Sequence, residues 1–215
     1  MLGVRKVISV NSVGSLREEI RPRDIVFADQ FIDKTRRPAT FFGDGVVAHV
    51  QFAHPVCDTL AMNLYDIAVS FGLRAHPVGT SICMEGPAFS TKAESRLHRL
   101  WGGDVIGMTA VTEAKLFREA EICYATMHLV TDYDCWHETH GPVDVASLLR
   151  VMEENREKAQ RLFARLALDF PAERVPCPVG SDRALEGAIL TRPEARDPAL
   201  VAKLSAVAGR VLGGS

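Results

Sequence analysis

The sequence predicts an α/β fold in which a central β-sheet is flanked by helices, and three observations predict it. Short apolar or β-branched runs alternate with segments of helical periodicity, Gly and Pro punctuate many of the junctions, and strand and helix take turns along the chain. With 215 residues, 47% of them hydrophobic and 24% charged, the chain can enclose a sizeable core and reads as one domain over residues 1–215.

Residues 4–10 form a β-branched run that opens the chain almost directly into a buried strand, and 25–28 read as a second short strand. Residues 31–46, with Thr35, Pro38, Gly43 and Gly45, read as a long loop of the kind that usually binds something. Leu60, Leu64, Ile67 and Ala68 recur at helical spacing over 58–71, and Gly72 is the stop. Then follow a strand at 80–84, a helix at 91–101 ended by Gly102-Gly103, a strand at 105–108, a helix at 113–120 and a strand at 123–130. Asp144 opens a long amphipathic helix in which Val145, Leu148, Leu149, Met152, Ala159, Leu162, Phe163 and Leu166 recur to about residue 168, with Pro171, Pro176 and Pro178 beyond it. Asp197 as cap and Pro198 at the first position begin a last helix over 198–212.

Composition excludes some partners. A formal net charge of −2, with cations scattered among acids, supplies no basic face for a nucleic-acid backbone. The opening Met-Leu-Gly-Val-Arg-Lys-Val-Ile has no apolar stretch suited to a signal peptide, and no later run has the length of a membrane span, so a soluble, cytoplasmic protein is expected. Cys57, Cys83, Cys123, Cys135 and Cys177 are odd in number, widely spaced and without a Cys-x-x-Cys pair, which reads as buried free thiols.

In open α/β sheets ligands gather at the carboxyl ends of strands, so the segments that follow the strands carry the candidate chemistry. Asn11-Ser12-Val13-Gly14-Ser15 offers small polar groups and backbone N–H donors that suit an anion, although a plain turn accounts for the pattern more often. Ser90 and Thr91 can cap the helix that follows Glu85-Gly86-Pro87-Ala88-Phe89, or hold an anion at its positive end. Phe89 can serve as a platform for a flat heterocycle or as ordinary core. Met108-Thr109 carries little by itself. Thr131-Asp132-Tyr133-Asp134-Cys135-Trp136 sets two carboxylates at alternate positions after an apolar strand, where they can meet a heterocycle bearing an amino group, or simply cap a loop. His137 and His140 beside these acids lack the spacing of a metal pair, so no metal is expected; no nucleophile elbow, Walker loop or dinucleotide fingerprint occurs.

On these same segments the chain resembles the methylthioadenosine phosphorylases, in the trimeric branch of the purine nucleoside phosphorylase superfamily. The resemblance rests on Gly14-Ser-Leu-Arg-Glu-Glu-Ile20, Asp29-Gln-Phe-Ile-Asp-Lys-Thr-Arg36, Glu85-Gly-Pro-Ala-Phe-Ser-Thr-Lys-Ala-Glu-Ser95 and Thr131-Asp-Tyr-Asp-Cys-Trp136, four long strings in the family's order. It implies a nucleoside-phosphorylase-like mixed sheet and phosphorolysis of 5′-methylthioadenosine in purine and methionine salvage, with inorganic phosphate as co-substrate and no cofactor. Phe89 would stack on the base, Asp132 would donate the proton that the leaving adenine needs, and Asp134 would accept from its exocyclic amine. Ser90, Met108 and Thr109 would contact ribose and phosphate, with Asn11 beside them. Val145, Leu148 and Leu149 would form the methylthio pocket, for which plain core is the alternative, and His49 would reach a neighbouring subunit's site in a homotrimer.

Two departures stand out. Asn11-Ser12 occupies the place of a Thr found in many members, and the family's N-terminal glycine-rich phosphate loop and Arg-His pair do not occur before Val4, so an N-terminally truncated domain is expected. Two further readings follow: a non-catalytic chain that binds adenine nucleosides or joins a longer subunit, and an enzyme acting on adenosine or methylthioinosine.

Overall fold

The computed structural model describes residues 3–43, 45–138, 145–169 and 175–213. Its strands are β1 (Lys6–Ser15), β2 (Ile25–Val26), β3 (Gln30–Asp33), β4 (Ala75–His76), β5 (Thr80–Cys83), β6 (Val105–Gly107) and β7 (Cys123–Tyr133). The helices are α1 (Asp58–Ser70), α2 (Lys92–Leu100), α3 (Ala110–Glu119), α4 (Val145–Asp169) and α5 (Pro198–Leu212). The strands form one seven-stranded mixed sheet in the order β3-β5-β6-β1-β7-β2-β4.

β7 is the spine, and the two-residue period of a strand explains how it organises both faces. Cys123, Ala125, Met127 and Leu129 meet Leu60, Leu64 and Ala68 of α1 and Ala159, Leu162 and Leu166 of α4. On the opposite face Tyr124 meets Ala114 of α3, and Val130 meets Val13, Val26 and Val105. Each fully buried Leu or Met in these clusters stabilises the fold by roughly 1.5–3 kcal/mol relative to exposure. A further cluster joins α5, through Leu204, Ala208 and Leu212, to Phe42, Val46 and Leu185.

Helix ends follow the expected chemistry. Thr91 closes a capping box on α2, its hydroxyl accepting from Glu94 N while Glu94 accepts from Thr91 N. Asp197 accepts from Ala199 N ahead of Pro198 and so starts α5. The cap expected at Asp144 lies outside the described residues.

Two sequence expectations need correction. Asn11–Ser15 is not a turn. It continues β1, paired in parallel with β7 from Lys6↔Cys123 to Val13↔Val130, because that long apolar partner offers a ladder that outweighs local turn preference. The loop expected over 31–46 contains most of β3, which pairs in parallel with β5 from Gln30↔Thr80 to Asp33↔Cys83. The rest is pinned by charged side chains: Glu119 accepts from Thr40 Oγ1 and from Phe41 N, both at 2.6 Å, and Arg37 donates to the Glu85 carbonyl at 2.8 Å. The two-residue strand β4 carries too little pattern to be seen in the sequence.

Candidate active site

β1 and β6 run antiparallel, but their ladder consists only of Gly14↔Ile106 and Ser15↔Val105. Past those pairs the sheet opens, and a cavity of about 350 Å³ lies there, walled by Val10–Gly14 of β1, by Ile106–Thr109, and by Thr131, Asp132 and Asp134 at the end of β7. Met84 and Phe89, from the segment after β5, complete the lining. A cavity at a break in strand pairing, beside strand ends, is where α/β folds ordinarily place ligands.

A bulge sets the acid that matters most. The β1–β7 register passes from Val13↔Val130 to Gly14↔Asp132, leaving Thr131 as the extra residue, and such bulges re-aim side chains beside active sites. Gly14 makes room for the result: a Cβ there would stand 3.1 Å from Asp132 Oδ1 and 3.4 Å from Asp134 Cβ. In the sequence Gly14 stands in a segment suited to an anion or a turn and heads one of the family strings, and neither pattern reveals that it makes room for Asp132.

The two carboxyls differ. Burial pushes Asp132 up from its ordinary value and the Asp134 charge adds to this, against the pull of the Thr131 hydroxyl. That hydroxyl lies 2.7 Å from Asp132 Oδ2 and 3.1 Å from the Val13 carbonyl, and its single proton serves one acceptor at a time. A protonated Asp132 would donate to Thr131 and free the threonine proton for Val13, satisfying all three groups. Asp134 is 5% exposed, and its Oδ2 has no hydrogen-bond partner among the described residues. A buried carboxylate oxygen without a donor is costly, and it belongs to a residue of the cavity wall.

Asn11, Met108, Thr109 and Phe89 also line the cavity. The Thr109 hydroxyl donates to Asn11 Oδ1 at 2.5 Å, and the Asn11 amide donates to Ser9 Oγ at 2.9 Å and Thr126 Oγ1 at 2.8 Å. Thr109, which lines the cavity, is the N-cap of α3 and makes no side-chain cap bond. Gly86, at φ +71°, leaves space that Met108 fills; a Cβ there would meet Met108 Sδ at 2.6 Å. Phe89 keeps an aromatic face open, with 58% of its surface exposed.

Other expected residues stand elsewhere. Ser90 is absent from the wall: its hydroxyl lies 3.8 Å from Met84 Sδ and its carbonyl accepts from Cys135 Sγ, while the adjacent Thr91 is committed to its capping box. Leu149 is exposed and is not part of the wall, and the Val145 and Leu148 side chains lie outside the described residues. His49 lines a second cavity, of about 300 Å³, with Gln51, Arg118 and Arg183, sharing no residue with the first. His137 pairs with Glu18, and His140 lies outside the described residues.

The sequence profile of the Phosphorylase superfamily matches residues 1–168. The chain is 54% identical to the S-methyl-5'-thioadenosine phosphorylase of Bradyrhizobium diazoefficiens, over 99% of this chain and 73% of that one. It is 52% identical to the enzyme of the same name from Cereibacter sphaeroides, over 99% and 74%. The chain belongs to the S-methyl-5'-thioadenosine phosphorylase family. Among solved methylthioadenosine phosphorylases, one from an Antarctic soil metagenomic library superimposes with a TM-score of 0.84 at 40% identity, covering 96% of this chain and 72% of that one. The Schistosoma mansoni methylthioadenosine phosphorylase in complex with adenine gives 0.82 at 29% identity, over 88% and 74%. The mixed sheet flanked by helices is thus the nucleoside phosphorylase fold, and the chain is by family a pentosyl-transferring phosphorylase.

Proposed function

We propose that this cavity binds S-methyl-5'-thioadenosine and inorganic phosphate and catalyses phosphorolysis to adenine and 5-methylthioribose 1-phosphate. The observation that carries the proposal is the unlike carboxyl pair, Asp132 held toward its protonated form and Asp134 with a buried, unpartnered oxygen. A phosphate oxygen attacks the anomeric carbon as the bond to the base nitrogen breaks, inverting that carbon. The electron pair passes into the purine, whose imidazole ring takes the Asp132 proton, and Asp132 regains a proton from solvent after the base departs. Asp134 accepts from the exocyclic amine; a 6-oxopurine would set an acceptor against an acceptor there, which favours a 6-aminopurine. Phe89 supplies the stacking face.

Phosphate suits the end of the cavity formed by Met108 and Thr109, where the α3 N-terminus offers N–H donors and the positive end of a helix dipole. Asn11 holds the Thr109 hydroxyl in place there. No cofactor enters this chemistry. Val145 and Leu148 belong to the proposal as the apolar pocket for the methylthio group. So does a homotrimer in which His49 reaches the neighbour's cavity, a role its separation from Asp132 within one chain supports. Among the described residues no helix is long and apolar enough to cross a membrane, which accords with work in the cytoplasm.

Among the described residues the lining contains no Lys, Arg or His, which favours a second reading in which nucleoside binds but phosphate is held weakly. One experiment separates the two: adenine release from S-methyl-5'-thioadenosine by the purified chain, with and without inorganic phosphate. Release that requires phosphate supports the phosphorylase reading. Nucleoside binding without release overturns it in favour of the second.

A further inference from the structure

At the opposite end of β7 from Asp132, three cysteines from distant parts of the sequence converge. Cys57 caps α1, Cys123 begins β7, and Cys177 sits in the turn before Ser181, yet their sulfurs all lie within 4.8 Å of one another. The three residues are 4%, 4% and 3% exposed, and all are free thiols. Each is fixed by its backbone: Cys57 N donates to the Tyr124 carbonyl at 2.7 Å, Cys123 N to that of Arg5 at 3.0 Å, and Gly180 N to the Cys177 carbonyl at 2.9 Å. Pro176 and Pro178 stiffen the segment on either side of Cys177.

A second observation points to a ligand. Arg118 is 3% exposed and donates to the Gln51 and His54 carbonyls, and no carboxylate pairs with it among the described residues. The His54 carbonyl that Arg118 holds lies three residues before Cys57. In so apolar a setting the three thiols carry negative charge only when a bound metal ion displaces their protons.

We propose that Cys57, Cys123 and Cys177 form a binding site for a soft monovalent ion, copper(I). Thiolate donors select copper(I) and zinc, and zinc asks for four ligands in a closed structural site. Here three sulfurs are grouped, and no His or carboxylate joins them among the described residues, which fits a trigonal copper(I) centre. Binding with release of the three thiol protons leaves the ion and its sulfurs with two negative charges. The ion would tie the Cys177 turn to the sheet and to α1.

The test is anaerobic titration of the reduced full chain with copper(I) against the chelator bicinchoninate, with zinc(II) in parallel. Retention of one equivalent of copper(I) and no comparable hold on zinc is expected, with three sulfur neighbours by X-ray absorption on the unaltered protein. Cys177→Ser should weaken retention at least ~100-fold, since loss of a supporting group alone weakens metal sites by up to about that much. Cys135→Ser, a half-buried thiol outside the group, should leave it unchanged. No retained copper(I), two rather than three sulfur neighbours, preferential retention of zinc, or equal losses in both variants would overturn the proposal.

Discussion

Gly14 stands opposite Asp132 in the β1–β7 ladder, so close that a Cβ on the glycine would come within 3.1 Å of Asp132 Oδ1. The added methyl would also press on Asp134 Cβ and Ile106 Cγ2, each at 3.4 Å. Its backbone does not require glycine, so Gly14→Ala isolates this contact. The expected outcome is a fall of ~10-fold in kcat/KM for S-methyl-5'-thioadenosine, with unfolding free energy changed by less than about 1 kcal/mol. Steady-state kinetics beside denaturant unfolding checks it, and full activity in a destabilised variant would remove Gly14 from the site.

Asp132→Asn should lower kcat by ~10²–10³ while changing the KM for nucleoside little, because the asparagine keeps the shape and loses the proton. In the unaltered chain, turnover should decline as pH rises through the elevated Asp132 value, and the variant should lack that decline. The stability sign is opposite. A carboxyl raised by burial contributes stability below its ordinary value of 3.8 and loses it as pH rises through the folded value. At neutral pH the Asn variant should therefore be at least as stable as the parent while being much slower, and urea unfolding measures this directly.

The fold was legible where periodicity was long. α1, α5 and the core of β7 stand within a few residues of their expected bounds because apolar spacing repeats through them. β1 was cut short at residue 10 because Asn11, Ser12 and Gly14 carry turn chemistry, and only the distant partner Cys123–Tyr133 makes them strand. The same limit applies to the site. Asp132, Asp134 and Phe89 stand out in segments that follow strands, Met108 and Thr109 carry little without the family resemblance, and all five line one cavity. Ser90 stands next to a residue whose hydroxyl the helix end consumes, and a sequence does not say which of two adjacent hydroxyls faces a ligand. The thiol cluster was invisible for a related reason: Cys57, Cys123 and Cys177 meet only after three segments pack.

Glu119 holds the long segment before α1 through the Thr40 hydroxyl and the Phe41 amide, both at 2.6 Å, while being 6% exposed itself. Glu119→Ala removes the charged acceptor of two part-buried donors, the Thr40 hydroxyl and the Phe41 amide, at a cost of about 1–3 kcal/mol. The expected result is a matching loss in unfolding free energy, together with faster hydrogen exchange at Phe41 and Phe42. Exchange at parental rates would mean that the Phe42–Val46 packing on α5 alone secures the segment.

His128 lies at the centre of β7, 1% exposed, with neither ring nitrogen partnered among the described residues. Burial pushes its value down from 6.5 to about 4. A histidine depressed in the folded state contributes stability above its unfolded value and loses it as pH falls toward the folded one, so the window here runs from 6.5 down to about 4. That shift corresponds to a loss approaching ~3 kcal/mol across the window, because the unfolded chain takes up a proton that the sheet excludes. His128→Leu, which keeps the bulk and removes the titration, should flatten this part of the stability profile. Denaturant unfolding of both proteins across the window is the measurement, and parallel profiles would show that acid lability arises at another group.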